Sequence, residues 1–540
     1  MKYPIGIQDF QRIREAGYIY VDKTALVYKM ASEGSIYFLA RPRRFGKSLL
    51  LSTLEYYFLG RKDLFEGLAI ESMEKDWKEY PVFHLDFNAS NFERVGALED
   101  ALDKFISKSE KAFGVERSCL ELGLRFSDVL EAAHNRTGRR AVVLIDEYDK
   151  PLLDVMDKDI VVVESSGQNN TLEEHNRAVL KGFYSVFKQA DKHLQFVFLT
   201  GVTKFSQVSV FSGFNQPRDI SLDARYETLC GISEEEMLRM FEKPVADLAL
   251  KYGVSVNEML DMLRRKFDGY HFSERLTGVY NPFSILNTFD SQKIDNYWFS
   301  TVTPAYLMRL MADNDVVVNE LAGKYYSPSE FIDYKATKQM PLPMLYQSGY
   351  LTVKKYDMEF NSYLLDFPND EVRMGILSLI SASYFSCETD SESWVQGVTK
   401  CLRYGDMESF KLRLTSFLSG ISYRFQRKQD GRECERYFQY TFYLIMQMLS
   451  TYSTYVEKET SQGRIDCVLE CPDFVYIFEF KLNSTARAAL RQIDSRGYAL
   501  PYAADARTVY KVGISFSSET GTIKEFSYKA VKKNFRKQNG

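Results

Sequence analysis

Four short, nearly continuous apolar runs in the first half constrain this chain most: Ile36–Ala40, Val82–Phe87, Ala141–Ile145 and Phe196–Thr200. Successive residues of a strand point to opposite faces, so a strand that is apolar throughout must be covered on both sides. Such strands belong to mostly parallel sheets layered between helices, and each parallel neighbour needs a crossover of a dozen or more residues. Leu49–Phe58 and Leu98–Phe113 supply helical apolar spacing between the runs. The pattern therefore predicts a doubly wound α/β sheet. The polar stretch ESSGQNNT, residues 164–171, reads as an exposed loop.

A chain of 540 residues exceeds one ordinary core, and roughly two to four domains are expected. We read an α/β domain over 1–230, a helical region over 231–375, a helical connector over 376–430 and a different α/β unit over 431–540. Ser233, followed by three acidic residues, reads as the N-cap of the first helix of the second region. Two alternating segments, GYLTVKKY and NSYLLDFP, bracket a polar turn between Tyr346 and Pro368 and predict a hairpin. The order of helices and hairpin is compatible with a winged-helix-like module, and a plain structural subdomain is the simpler reading. In the last hundred residues a long helix, Arg436–Ser450, is expected to precede strands, a helix and a final strand.

The first apolar run leads into ARPRRFGKS. Gly46-Lys47-Ser48 between a strand and a helix is the context of a phosphate-binding loop. There, backbone N–H groups at a helix N-terminus surround phosphate oxygens, lysine reaches the outer phosphates and the hydroxyl binds Mg²⁺. The first glycine of GxxxxGK[ST] is missing, and Arg41 stands in its place. Either Arg41 takes up the glycine's backbone angles, or the loop has another shape stiffened by Pro42. About a hundred residues on, RRAVVLIDEYD ends a buried strand in Asp146-Glu147. Asp146 can hold the Mg²⁺ shell and Glu147 can polarise a water. Thr200 or Thr203, ending the next strand, is either a phosphate sensor or a strand cap.

The segments YPIGIQDF, YVDKTALV, FLARPRRFGKSLLLSTLEYYF, VVLIDEYDKPL and FLTGVTKFS resemble the AAA-ATPase-like family over residues 3–230. RPRRFGK[ST] is the usual form of the loop there, so the resemblance implies that Arg41 belongs to a working site. It implies a P-loop NTPase fold that takes ATP and Mg²⁺, with Arg44, Phe45, Gly46, Lys47, Ser48, Leu49, Asp146 and Thr200 at the nucleotide. Ser48 and Asp146 would serve the metal and Glu147 the water. An arginine finger is not assigned: Arg177, Arg218 and Arg225 are all candidates, in cis or from a second copy. Homo-oligomerisation is left open.

The second constellation is GRIDCVLECPDFVYIFEFKL, residues 463–482. Two alternating strands flank Pro472-Asp473, and Glu479 and Lys481 share a face because they are two apart. A hairpin symmetric about that turn sets Asp466 opposite Glu479, with Cβ atoms ~4.5–5.5 Å apart, within reach of one divalent ion. A lysine beside two carboxylates can position or deprotonate a water, or stabilise phosphate charge. The alternative is the solvated face of an edge strand. With GRID, FEFK and RQIDSRGYALPY, carrying Gln492 and Tyr498, residues 431–516 resemble the PD-(D/E)XK nuclease superfamily. This implies a restriction-endonuclease-like α/β fold, a Mg²⁺ site of Asp466 and Glu479 completed by Glu435 (or Glu457 or Glu459), and Lys481 in catalysis.

Composition bounds the rest. A net charge of −4 gives no global attraction for nucleic acid, so binding must rely on local basic patches. The tail SYKAVKKNFRKQNG mixes lysines and arginine with Tyr528 and Phe535, suited either to a nucleic-acid backbone or to a solvated terminal helix. Seven irregularly spaced cysteines form no disulfide framework and suit a reducing cytoplasm. Neither a signal peptide nor a run of ~18 apolar residues is visible, so no membrane association is expected. The leading reading is a P-loop ATPase joined to a Mg²⁺-dependent nuclease acting on DNA or RNA. Its rivals are a nucleotide-switched nucleic-acid-binding scaffold that does not cut and an ATPase half that only senses nucleotide.

Overall fold

In the computed structural model the described residues are all except 118, 157, 159, 164–168, 205–216, 303–320, 333–340, 377–390, 420–441, 443–452, 461–462, 521 and 532–540. At 302, 391–393, 395, 453–460 and 463–464 only the backbone is described. The chain divides into two compact units, Met1–Arg373 and Met374–Gly540.

The first unit is built on five parallel strands: β1 (Ile36–Ala40), β2 (Val82–Asp86), β3 (Ala141–Asp146), β4 (Leu194–Gly201) and β5 (Arg218–Asp219). Their order is β2-β3-β4-β1-β5. The apolar runs are continuous because both faces are covered. On one face Phe38, Val143, Ile145, Val197 and Leu199 share a core with the helices α2 (Ala97–Phe113), α3 (Leu122–Thr137) and α4 (Leu172–Gln189). On the other, Tyr37 and Phe196 pack ring to ring, and Phe196 meets Phe58 of the helix α1 (Lys47–Phe58) at 5.0 Å. Because β4 lies between β1 and β3, the loop after β1 and the acids after β3 flank the end of β4.

Residues 232–291 add helices led by Ser233, whose hydroxyl caps Glu236 N in a reciprocal box. The expected hairpin is present as β7 (Thr352–Asp357) and β8 (Ser362–Asp366), joined by β6 (Lys324–Tyr326) in a three-stranded sheet. The stretch read as a loop at 164–171 needs correction at its end. Asn169–Thr171 pairs with Val161–Val163 as a short exposed strand, because Thr171 must lie extended to cap α4.

The second unit holds helices Ser391–Tyr404 and Met407–Ser419 and a mixed sheet in chain order: β9 (Ser453–Thr460), β10 (Gly463–Glu470), β11 (Phe474–Leu482), β12 (Thr508–Phe516) and β13 (Ile523–Ala530). Only β11 and β12 are parallel, linked through α5 (Ala486–Ser495). The helix expected over 436–450 lies, apart from Phe442, outside the described residues. The helical reading of the tail fails for its first residues: Tyr528, Lys529 and Ala530 belong to β13, paired with β12. Backbone pairing along the sheet edge outweighs local helix preference there. The basic residues from 532 onward lie outside the described residues.

Candidate functional site

The phosphate loop resolves the missing glycine. Arg41 is not among the residues with positive φ; the left-handed positions are Arg44 (φ 68) and Gly46 (φ 94). A glycine is therefore needed only at Gly46, and there for backbone angle, since a Cβ would meet nothing within 4 Å. Arg41 is buried, and its guanidinium donates to the carbonyls of Ala40 (2.9 Å) and Ser221 (2.7 Å) and lies 4.0 Å over the Phe272 ring. It braces the loop from beneath. Phe45 is buried between Tyr270 and Phe272, the Trp298 indole donates to the Arg43 carbonyl (3.0 Å), and Arg44 lies over Phe283.

Gly46 ends the loop as the N-cap of α1 with no side chain on the free N–H groups. This leaves the donors of the first turn and the positive end of the helix dipole open to an anion. Ser48 and Leu49 are half-buried in that turn. Lys47 is folded inward, donating to the Arg41 carbonyl (3.0 Å) and the Pro42 carbonyl (3.3 Å), with Glu147 Oε1 at 3.8 Å. Burial pushes the Glu147 carboxyl up, and Lys47 opposes that shift.

Asp146 is buried, and its Oδ1 accepts from the Thr200 hydroxyl (2.6 Å) and from Glu147 N (3.0 Å). Thr200 is itself fully buried, so its hydroxyl orients Asp146. Two acids escaped the sequence reading. Asp86 stands in register beside Asp146 on β2, and burial, with Asp146 adding to it, raises its carboxyl. Asp149 is fully buried, with Oδ2 bound to Val202 N, Thr203 N and the Thr203 hydroxyl. The third acid of DEYD, three residues after Asp146, was the available signal for Asp149. Of the arginine-finger candidates, Arg225 pairs with Asp223 at 2.5 Å, Arg218 lies 3.6 Å from the same carboxylate, and Arg177 pairs with Glu173 at 2.6 Å.

In the second unit the hairpin register runs Cys467↔Phe478, Val468↔Ile477, Leu469↔Tyr476 and Glu470↔Val475. This is the pairing of a hairpin symmetric about Pro472-Asp473; it ends at Cys467↔Phe478, and Asp466 meets the facing strand through its side chain. Asp466 Oδ2 accepts from Phe480 N (2.8 Å), fixing its carboxyl beside the strand. Glu479 is buried, with Oε1 3.2 Å from Lys481 Nζ and Oε2 without a partner among the described residues. Burial first, then Asp466, pushes its carboxyl up to about 7, with Lys481 opposing. Gly513, in register beside Glu479, lets α5 approach: a Cβ there would meet the Ala486 carbonyl at 2.3 Å.

Two carboxylates, one with a buried free oxygen, suit a hard divalent cation, and their mutual repulsion is what such a cation would relieve. Glu435 lies outside the described residues. Glu457 sits on β9 between Val456 and Lys458, whose partners are the two neighbours of Asp466. The backbone of Glu459 stands in register opposite that of Arg464. Gln492 is half-buried on α5, and Tyr498 is buried just beyond it.

A phosphate-loop sheet and an acid–acid–lysine hairpin thus occupy one chain. Residues 4–211 match the family model described as a predicted AAA-ATPase, and residues 433–526 match that of the PD-(D/E)XK nuclease superfamily. A relative from Azotobacter chroococcum mcd 1, described as an uncharacterized protein in the vnfD 5′ region, is 32% identical over 531 residues. The match covers 97% of this chain and 98% of that protein. The chain belongs to this family of AAA-ATPase-like proteins with a C-terminal PD-(D/E)XK domain. Among the described residues no helix is long and apolar enough to cross a membrane.

Proposed function

We propose that residues 1–230 bind and hydrolyse Mg-ATP, that 231–375 and 376–430 support and connect, and that 431–540 cleave phosphodiester bonds of DNA or RNA with Mg²⁺. The observation that carries the nuclease half is the buried Glu479 Oε2, without a partner among the described residues, beside Asp466 and Lys481. The ATPase half rests on the uncapped N-terminus of α1, with Lys47 and Glu147 at its mouth.

Lys47, Ser48 and the loop N–H groups would hold phosphates, and Ser48 with Asp146 the accompanying ion. Glu147 accepts a proton from water. Asp466 and Glu479 would hold Mg²⁺ in the second site, while Lys481 positions or deprotonates the attacking water. Magnesium, when bound, neutralises charge on phosphate oxygens and makes water more acidic.

The test is a cleavage assay on mixed DNA and RNA, with and without ATP and Mg²⁺. Wild type should hydrolyse ATP and cut nucleic acid. Asp466→Ala or Lys481→Ala should abolish cutting and leave ATP turnover intact. Retention of nucleic acid by wild type without any cutting would favour the scaffold reading, and undiminished ATP turnover in Lys47→Ala would sink the phosphate-loop assignment.

A further inference from the structure

Glu147 carries the proposed proton transfer, yet its backbone lies in the left-handed region (φ 52), which side chains other than glycine adopt only at a cost in free energy. Something must hold the turn there. Three sets of bonds from the next two residues do so, to the end of β4 and the two residues after it. Tyr148 N donates to the Thr200 carbonyl (3.0 Å), and the Tyr148 hydroxyl donates to the Thr203 carbonyl (2.8 Å). Asp149 Oδ2 accepts from Val202 N (3.0 Å), Thr203 N (2.6 Å) and the Thr203 hydroxyl (2.7 Å).

The approach is close enough to dictate a residue on the facing strand. A Cβ on Gly201 would lie 2.5 Å from Asp149 Oδ1 and 2.7 Å from the Tyr148 ring. The φ of Gly201 is not positive, so the requirement is for space alone. Among the described residues Asp149 forms no ion pair, and its buried Oδ1 has no hydrogen-bond partner. A carboxyl fully removed from water, with one oxygen held by two backbone N–H groups and a hydroxyl, fixes a chain position.

We propose that Asp149, seated against Gly201, is a positioning residue that clasps the Glu147 turn to the end of β4 and so fixes Glu147 opposite Lys47. The clasp links the strand that carries Asp146 and Glu147 to the strand whose Thr200 orients Asp146. Both acids are thereby registered against one neighbouring strand. Asp149 acts only through Glu147 and has no part in the transfer of the proton from water. The inference rests on the reading of Glu147 as the base for ATP hydrolysis.

The experiment compares full-length wild type, Asp149→Asn, Asp149→Ala, Gly201→Ala and Thr203→Ala. Each is assayed for ATP turnover, for ATP affinity by a fluorescent nucleotide analogue, and for thermal unfolding. A misplaced catalytic group costs on the order of 10²-fold in rate. Asp149→Ala and Gly201→Ala should therefore lower kcat about 100-fold while the nucleotide Kd stays within about threefold. Asp149→Asn keeps an acceptor oxygen of the same reach and should retain about tenfold more activity than Asp149→Ala.

Thr203→Ala removes one of the three bonds at an edge of the clasp. If the Asp149 or Gly201 variants fail to fold, it reads the same effect at smaller size, with kcat falling and Kd unchanged. Wild-type turnover in Thr203→Ala and Asp149→Asn, or Kd and kcat weakened in parallel, overturns the positioning role while the ATPase reading stands. Wild type that binds the analogue but turns over no ATP overturns both.

Discussion

The two candidate sites are built in opposite ways. The hairpin site gathers Asp466, Glu479 and Lys481 from sixteen consecutive residues, and one turn with its register places all three. The phosphate-loop site gathers Arg41–Ser48, Asp146–Asp149 and Thr200–Thr203 from three strand ends, and then leans on Phe272, Phe283, Trp298 and Glu371 from far along the chain. A local site inherits its geometry from secondary structure, whereas a distributed one needs a buried support. Arg41, Trp298 and Glu371 are that support. Glu371 Oε1 accepts from Trp298 N (2.7 Å), Oε2 accepts from the Ser284 hydroxyl (2.7 Å), and the Trp298 indole holds the Arg43 carbonyl.

The sharpest break in the comparison is loss of one site without the other. Lys47→Ala should remove nucleotide binding and leave Mg²⁺-dependent cutting of a substrate that needs no ATP. Asp466→Asn should cut activity on nucleic acid by about 10³-fold or more, the scale of a lost ion-holding or electrostatic group, with ATP turnover unchanged. Isothermal titration and gel cleavage read the two arms. Loss of both activities in either variant would show that the sites do not act separately.

A second contrast is pH. Burial pushes the Glu371 carboxyl up to about 7 from an ordinary value of 4.5. A raised folded value means that protonation favours the folded state. Its contribution is therefore fully present below about pH 4.5 and is lost as pH rises through about 7. The shift corresponds to stability of order 3 kcal/mol. Urea unfolding followed by tryptophan emission in a Trp394→Phe background reports Trp77 and Trp298, both in the first unit. That stability should fall between pH 5 and 8, and Glu371→Gln should remove this share of the slope. An unchanged slope would remove Glu371 from the support.

Arg41→Ala leaves the Ala40 and Ser221 carbonyls short of a donor and opens space over Phe272. The first unit should lose about 2–3 kcal/mol by the same measurement, with hairpin-dependent cleavage untouched. The smallest expected effect on ATP binding is that of Trp298→Phe, which deletes the indole bond to Arg43 together with part of a buried ring that packs on Tyr270 and Tyr350. A neutral hydrogen bond of about 1 kcal/mol corresponds to ATP binding about fivefold weaker, measurable by titration. Unaltered affinity would mean that the loop keeps its shape without that bond.

Legibility in the sequence followed the same division. The four apolar runs gave four of the five parallel strands within a residue or two, because burial on both faces leaves a local pattern; the two-residue strand Arg218–Asp219 left none. The hairpin register could be written from Pro472-Asp473 alone. The reading of Asn169–Thr171 as loop and of Tyr528–Ala530 as helix failed because edge pairing leaves little composition signal. Asp149 and Asp86 passed as ordinary acids: the DEYD motif marks Asp149 as a candidate, but only packing shows that it meets donors at Val202 and Thr203 and that Asp86 stands beside Asp146.

The sequence by itself thus determined the layered sheet, the strand–loop–helix setting of Gly46-Lys47-Ser48 and the spacing of Asp466, Glu479 and Lys481, all consequences of periodicity and turn chemistry. Only the tertiary structure decided what Arg41 does. The loop places its left-handed residues at Arg44 and Gly46, so position 41 needs no glycine and is free to carry a buried guanidinium. Its hydrogen-bond partner Ser221 lies 180 residues away, and its stacking partner Phe272 lies farther still. Contacts at such separations are fixed by packing, which no local pattern encodes.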